Sequence, residues 1–213
     1  MDIYQTEDEQ VEALKKWWQE NGKSAIFGVA VGLVAIFGWR EYKDYSLEQT
    51  ENASEVYQQM VIALRDDKSA DIEQAANNIS ANYDSTAYAS FAALGLAKIA
   101  ISENDLAGAE EHLQTALKST SHKSLKQIIS LRLVRVYIAQ NELKKASAII
   151  SKNSGDNAFS VSFQELQGDI YQLEGDFENA RKTYQAALDK ASESEQDTAL
   201  LDLKLDDLGR AEG

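Results

Sequence analysis

Cysteine and histidine, which commonly act as nucleophiles, bases and metal ligands, are scarce in this sequence, and no recognisable catalytic motif is present. The chain has no cysteine and two histidines, His112 and His122. Neither histidine belongs to an HExxH motif, and a metal site needs several converging ligands. There is also no G-x-S-x-G nucleophile elbow and no glycine-rich nucleotide loop. We therefore predict no catalytic, cofactor-binding or metal-binding residues, and we interpret both histidines as solvated surface residues.

The charge of the chain limits its partners further. Asp and Glu number 35 against 21 Lys and Arg, which leaves a formal net charge of −14. Such a charge repels phosphate backbones, so nucleic acid is excluded as a partner. Many carboxylates are expected on a solvated helical protein, and no motif points to a small-molecule substrate. The remaining class is a protein that binds other proteins.

The amino-acid composition predicts that the chain is built from helices. Proline is absent, and it is the residue that breaks helices most strongly. Alanine, leucine, glutamine, glutamate and lysine, which all favour helices, are plentiful. We therefore expect an all-α protein.

An uncharged run near the N-terminus predicts a membrane anchor. Residues 24–39 carry no charge and are bracketed by Lys23 and Arg40. As a helix this run covers about 24 Å of a hydrocarbon core roughly 30 Å thick, and the flanking cations can extend to the interfaces. Aromatic residues suited to those interfaces flank the run: Trp17, Trp18, Trp39 and Tyr42. We predict a transmembrane helix over 23–42.

A buried core helix and a cleaved signal peptide are the alternatives to a retained anchor. The apolar run follows a long and mostly polar lead-in, and it does not end at a small-residue cleavage site. Both features favour retention. Three lysines precede the run and only Arg40 and Lys43 follow it closely, which places the N-terminus in the cytoplasm by the positive-inside rule. Residues 1–22 then form a short, partly amphipathic cytoplasmic segment.

One face of the predicted span carries small side chains. Ser24, Gly28 and Gly32 are spaced four residues apart, which permits close approach of another transmembrane helix. Ordinary membrane-helix composition is the alternative explanation, because glycine is common in such helices.

The rest of the chain contains a recurring frame that resembles the tetratricopeptide repeat. In the clearest copy, Gly168 and Ala180 stand where two antiparallel helices cross and only small side chains fit. Gly175 and Asp176 form the turn between the helices, with glycine supplying backbone freedom and aspartate an N-terminal cap. Tyr171 and Tyr184 fill the space between hairpins.

The signature alanine of this frame recurs at near-constant intervals. Ala75, Ala109, Ala146 and Ala180 are separated by 34, 37 and 34 residues, against a repeat length of about 34. Ala97 occupies the position of Gly168 in an earlier copy. We predict about four helical hairpins over 43–209, closed by a capping helix with Leu201, Leu205 and Leu208 on one stripe, and a disordered tail at 210–213.

The first helix of each hairpin is expected to face the concave side of the array. This predicts a binding surface that is apolar in its middle and charged toward its C-terminal end. Packing of its aliphatic residues against the second helices is an equally weighted alternative. The candidate residues are Phe91, Leu94, Lys98, Ile101, Ile128, Leu131, Arg135, Ile138, Glu165 and Asp169.

Taken as a whole, the chain resembles the YfgM family of ancillary subunits of the bacterial SecYEG translocon. Matching motifs include Glu20-Asn21-Gly22-Lys23, Gly38-Trp39-Arg40 and Leu131-Arg132-Leu133. The resemblance implies a single-pass inner-membrane protein with a cytoplasmic N-terminus and a periplasmic repeat domain. It also implies association with SecYEG and with the periplasmic prolyl isomerase PpiD, and assistance to exported polypeptides.

The leading hypothesis is thus a membrane-anchored, chaperone-like binding module at the export channel, without enzymatic activity. A scaffold for envelope assembly, unconnected to export, is the second hypothesis. A cytoplasm-facing adaptor, which requires the opposite topology, is the third.

Overall fold

A computed structural model describes residues 7–155 and 158–211, and all regular secondary structure in that part of the chain is helical. The predicted all-α fold is therefore confirmed. The helices are α1 (Glu7–Arg65), α2 (Ser69–Asn82), α3 (Tyr88–Ser102), α4 (Leu106–Ser119), α5 (Lys123–Ala139), α6 (Leu143–Lys152), α7 (Ser160–Leu173), α8 (Phe177–Glu193) and α9 (Ala199–Ala211). Helix α9 continues to Ala211, so the first two residues of the predicted tail, 210 and 211, are helical. The rest of the predicted tail, 212–213, and the first six residues lie outside the described residues.

The chain divides into two units, Met1–Glu51 and Asn52–Gly213, and the boundary falls within α1. The first unit contains the apolar run. Only 6% of its most apolar stretch is buried, so these side chains do not serve as a protein core. The helix is long and apolar enough to cross a membrane. A lipid environment would cover the side chains that the protein leaves exposed.

The second unit is a series of antiparallel helix pairs. The end of α1 shares a core cluster with α2, while α3 pairs with α4, α5 with α6 and α7 with α8, and α9 packs on α8. Apolar residues on the facing sides of these helices form the core, which is divided into three clusters along the array. The predicted series of hairpins with a C-terminal capping helix is confirmed.

The same turn closes each helix pair. One residue adopts a left-handed conformation: Asp67, Asn104, Asn141 and Gly175 in the four hairpins, and Glu195 before α9. The next residue donates its backbone N–H to the carbonyl five positions earlier, over 2.8 to 3.0 Å. This hydrogen bond satisfies a carbonyl that the helix end would otherwise leave without a partner. Glycine adopts the left-handed conformation without steric cost, and asparagine tolerates it better than most residues.

Aspartate side chains then start two of the following helices. Asp105 accepts a hydrogen bond from the backbone N–H of Gly108 at 2.9 Å, and Asp176 accepts one from that of Asn179 at 3.1 Å. The Asn179 side-chain amide also donates to Asp176 at 2.6 Å. These two hydrogen bonds, the side-chain one first, lower the pKa of Asp176 below its ordinary value.

Small residues allow the paired helices to approach closely. A Cβ atom added at Gly168 would overlap the ring of Tyr184, which is fully buried. Between successive hairpins, a Cβ at Gly95 of α3 would overlap the end of the Met60 side chain of α1. At each of these two contacts, a glycine leaves space that a large side chain of the facing helix fills.

Candidate functional site

An open, mostly apolar groove lies in the second unit between the first helices of successive hairpins. It has a volume of about 530 Å³, and its walls are the end of α1 together with α3 and α5, with Leu113 of α4 at the floor. We call this the α3–α5 groove. It is lined by Tyr57, Leu64, Phe91, Leu94, Gly95, Ala97, Lys98, Ile101, Leu113, Leu125, Ile128 and Arg132.

Aromatic rings form one part of the groove wall. The centroid of the Tyr57 ring lies 5.3 Å from that of Tyr88 and 5.6 Å from that of Phe91. Such tilted pairs are favourable ring geometries and hold the side chains in place. On the open side, Ile101 and Ile128 are exposed. An apolar partner would therefore meet preformed rings and uncovered aliphatic side chains.

Two cations are the charged residues among the groove lining. Lys98 on α3 and Arg132 on α5 are both exposed. Each is one helical turn from an exposed isoleucine, since Lys98 precedes Ile101 by three residues and Arg132 follows Ile128 by four. The groove therefore combines an apolar interior with positive charge on both walls.

Half of the concave surface predicted from the sequence lies in this groove. Phe91, Leu94, Lys98 and Ile101 of α3 and Ile128 of α5 all line it. The other five predicted residues are elsewhere. Leu131 is buried in the central core cluster with 6% of its surface exposed, Ile138 packs against the same cluster, and Arg135 is exposed outside the groove.

The two acidic residues of the predicted surface contact the capping helix. Lys204 of α9 donates to Glu165 at 2.7 Å and to Asp169 at 2.5 Å. The Tyr184 hydroxyl also donates to Asp169, at 2.6 Å. Burial, followed by the neighbouring Asp169 carboxylate, raises the pKa of Tyr184 far above its ordinary value. Glu165 and Asp169 thus belong to a contact that fastens α9 to α7.

Tyr57, Leu64, Leu125 and Arg132 line the groove although the sequence reasoning did not select them. Two spacing patterns in the sequence could have identified these four residues. Tyr57 and Leu64 are seven residues apart on α1, and Leu125 and Arg132 lie on the same face of α5 as Ile128. The sequence-based prediction selected residues on α5 with the same spacing as those on α3, one repeat interval later. Helices that face each other across a groove present opposite faces, so the groove face of α5 is a different stripe.

A second polar cluster joins α4, α5 and α6. The Tyr137 hydroxyl donates to Glu110 at 3.0 Å, and Gln114 donates to that hydroxyl at 3.3 Å. Lys145 forms ion pairs with Glu110, at 3.7 Å, and with Glu142. Burial raises the pKa of Tyr137, and the hydrogen bond to Glu142 raises that of Lys145. The cluster fastens adjacent helices and does not reach the groove lining.

The repeat-defining residues lie at buried helix contacts or in turns. Ala97, Ala109, Ala146 and Ala180 are buried, and the last three each follow the left-handed turn residue by five positions. In the first hairpin that position is Ile72, because the turn residue is Asp67. Ala75 is also buried but lies one helical turn later. In the first hairpin the signature alanine therefore lies three residues further from the turn than it does in the other hairpins.

The small residues of the apolar run are open to contact. Ser24 and Gly28 are exposed, Gly32 is partly exposed, and a Cβ atom at either glycine would have no neighbour within 4 Å.

His112 is partly buried on α4, and His122 is exposed immediately before α5. Within residues 7–155 and 158–211, no three His, Cys, Asp or Glu side chains come together as metal ligands.

Comparison with known proteins supplies the family. The tetratricopeptide repeat-like domain family matches residues 15–210. Three relatives each described as an ancillary SecYEG translocon subunit match nearly the whole chain. The one from Escherichia coli is 33% identical over 188 residues, covering 88% of this chain and 90% of the relative. The one from Haemophilus influenzae is 34% identical over 200 residues, covering 92% and 96%.

The third relative, from Aggregatibacter actinomycetemcomitans, is 31% identical over 202 residues, covering 95% of this chain and 97% of the relative. No solved structure matches the chain. The family model and the relatives both include the apolar run and the helix pairs, so the similarity is not confined to the repeats. The chain therefore belongs to the tetratricopeptide repeat-like family of ancillary SecYEG translocon subunits.

Proposed function

We propose that this protein is a non-catalytic, periplasm-facing binding module that docks at the SecYEG translocon and holds polypeptide segments in the α3–α5 groove. The observation that carries the proposal is the groove itself, an apolar surface with exposed aliphatic side chains on a membrane-anchored repeat unit. Uncovered apolar surface of this kind commonly marks a protein-binding site. The names of the relatives support the translocon as the place where the module acts.

The anchor accounts for docking in this proposal. The face with Ser24, Gly28 and Gly32 allows another transmembrane helix to approach closely, and the described part of the chain leaves these positions uncovered. Residues 1–22 lie in the cytoplasm, 23–42 cross the inner membrane, and 43–209 form the periplasmic repeat domain. The larger number of lysines before the span supports this orientation.

The repeat domain then faces the exit side of the channel, where exported polypeptides emerge. The proposed partners are SecYEG, the membrane-anchored prolyl isomerase PpiD and newly exported chains. Binding an apolar segment in the groove would keep it from aggregating, since exposed apolar segments associate with one another. This action needs no reactive centre.

Site-specific crosslinking from the groove tests the proposal. A photoreactive residue is placed at Ile101 or Ile128, and the full chain is purified from membranes in mild detergent. We expect crosslinks to PpiD or to exported polypeptides, and co-purification of SecYEG. Leu173, which is exposed on α7 outside the groove lining, is the control position. Absence of the translocon and PpiD from the purified material would overturn the proposal, and envelope-assembly proteins in their place would favour a scaffold.

A reporter fused after Gly213 tests the orientation. Alkaline phosphatase is active only outside the cytoplasm, so we expect an active fusion. Green fluorescent protein fused at the same position would be exported through the general secretory route in this topology, and it should therefore not fluoresce. An inactive phosphatase with a bright fluorescent fusion would place the repeats in the cytoplasm and contradict the proposed topology.

A further inference from the structure

The α3–α5 groove differs in charge from the chain that contains it. Acidic residues outnumber basic ones by 35 to 21 over the whole sequence. Among the residues lining the groove there is no acidic side chain, and there are two cations, Lys98 and Arg132. A groove with no selectivity for charge would be expected to share the acidic character of the rest of the surface.

Neither cation is neutralised by the part of the chain that the structure describes. The ion pairs in that part join other lysines and arginines to carboxylates, such as Lys145 to Glu110 and Lys204 to Glu165. Lys98 and Arg132 form no such pair. Two unneutralised positive charges therefore border an apolar surface, and the lower polarity of that surface strengthens their attraction for a negative charge.

The placement of the cations fits an occupant with apolar side chains in the middle and carboxylates at its edges. Lys98 projects from α3 and Arg132 from α5, so the charges stand on opposite walls. Apolar side chains between them would contact Phe91, Ile101 and Ile128. The Arg132 guanidinium can bind a carboxylate through two parallel hydrogen bonds, and Lys98 acts as a point charge.

We infer that the α3–α5 groove selects polypeptide segments in which apolar residues are flanked by Asp or Glu side chains. This inference rests on the proposed function, because it names the class of segment that the same groove accepts. Basic segments are repelled by the two cations. Neutral apolar segments bind through the walls alone and more weakly.

Synthetic peptides binding to the full chain in detergent test the inference. Three peptides share one apolar sequence, carry capped termini and differ at two flanking positions, which are Glu, Gln or Lys. A fourth has the Gln sequence and a free C-terminal carboxylate, which separates side-chain from terminal recognition. By fluorescence anisotropy we expect the Glu peptide to bind about tenfold more tightly than the Gln peptide, as two partly desolvated charge pairs permit. The Lys peptide should bind most weakly, and the preference should shrink as salt is added.

Two double variants with the same net charge identify the cations responsible. Lys98→Glu with Arg132→Glu should reverse the order and favour the Lys peptide. Lys118→Glu with Lys144→Glu changes exposed lysines on α4 and α6 outside the groove and should preserve the order. Circular dichroism checks that both variants fold.

The inference is overturned if no peptide binds, if the Glu and Gln peptides bind equally, if only the free C-terminus binds tightly, or if the control variant loses the same preference. Co-purification of SecYEG with the unaltered chain is measured in parallel. If SecYEG co-purifies and the Glu and Gln peptides bind equally, the inference fails and the proposed function stands. If SecYEG is absent, or if no peptide binds at all, the proposed function is contradicted as well.

Discussion

Single side chains determine how closely the helices of this repeat unit approach. Gly168 lies against the ring of Tyr184, and the hydroxyl of that tyrosine reaches Asp169 on the facing helix. A buried tyrosine needs a hydrogen-bond partner for its hydroxyl, and a tightly packed ring leaves no room for added atoms. Both requirements meet at this one contact between α7 and α8.

Replacing Gly168 by alanine should destabilise the repeat unit. The added methyl group would overlap the Tyr184 ring, and overpacking of this kind costs about 1–3 kcal/mol even though alanine favours helices. Urea unfolding of the full chain in detergent, followed by circular dichroism, measures the change. The matched control is Gly209→Ala on α9, where a Cβ would meet nothing within 4 Å and a gain of up to about 1 kcal/mol is expected. Equal effects of the two substitutions would contradict the packing argument.

The raised pKa of Tyr184 predicts a loss of stability in alkali. An unfolded tyrosine ionises near pH 10, whereas burial and Asp169 oppose ionisation in the folded protein. The stabilising contribution is therefore complete below about pH 10 and decreases as the pH rises toward the folded pKa. The free energy of unfolding should fall more steeply from pH 9 to pH 11 in the natural chain than in Tyr184→Phe. Parallel slopes would show that Tyr184 is not responsible.

At the scale of elements, the capping helix α9 completes the array and covers part of its inner surface. Lys204 on α9 contacts Glu165 and Asp169 on α7, and Leu201 and Leu208 are buried in the core cluster shared with α8. An array of repeats needs such an end, because its last hairpin would otherwise expose the apolar face that earlier hairpins bury.

Removing the Lys204 charge should loosen α9. Lys204, Glu165 and Asp169 have side chains that are 20%, 15% and 25% exposed, so Lys204→Met leaves two partly buried carboxylates close together without a cation. Loss of one partner in such a cluster costs about 1–3 kcal/mol. Hydrogen exchange of α9 amides and urea unfolding measure the effect. The control, Lys182→Met, removes a solvent-exposed ion pair with Glu178 and should leave both measurements unchanged. Slow α9 exchange in the Lys204 variant would contradict the assignment.

At the scale of the whole molecule, the two units have different environments. The first exposes large apolar side chains along its helix, and the second buries its apolar side chains between paired helices. A long row of exposed apolar side chains is unfavourable in water and favourable in a hydrocarbon layer. Membrane anchoring follows from that contrast and agrees with membership of a translocon-subunit family.

A charge in the apolar run should weaken anchoring. Val31→Arg places a cation near the middle of residues 24–39, at a cost of about 2.5–3.5 kcal/mol for insertion. Alkaline extraction of membranes should then release a larger share of the protein than it releases of the natural chain. Leu173→Arg, at an exposed position on α7, is the control and should stay with the membrane fraction. Complete retention of the Val31 variant would argue that the run is not the span.

Sequence alone was sufficient for properties that depend on neighbouring residues. Absence of proline, the uncharged run between Lys23 and Arg40, and the turn residues Gly175 and Asp176 act within one helix or one turn, so their consequences are local. The helical class, the anchor and the series of hairpins follow from them. The recurrence of alanine also predicted the repeat interval. In the first hairpin, however, Ile72 and not an alanine occupies the position five residues after the left-handed turn residue.

Which stripe of a helix becomes a binding surface was decided only by tertiary structure. Leu131 and Arg132 are adjacent on α5, yet the first is buried in the core and the second lines the groove. Glu165 and Asp169 have the pattern of an open charged surface, but a lysine 35 or more residues later covers them. The rotation of one helix against another depends on contacts between residues far apart in sequence, and the periodicity within a single helix does not contain that information.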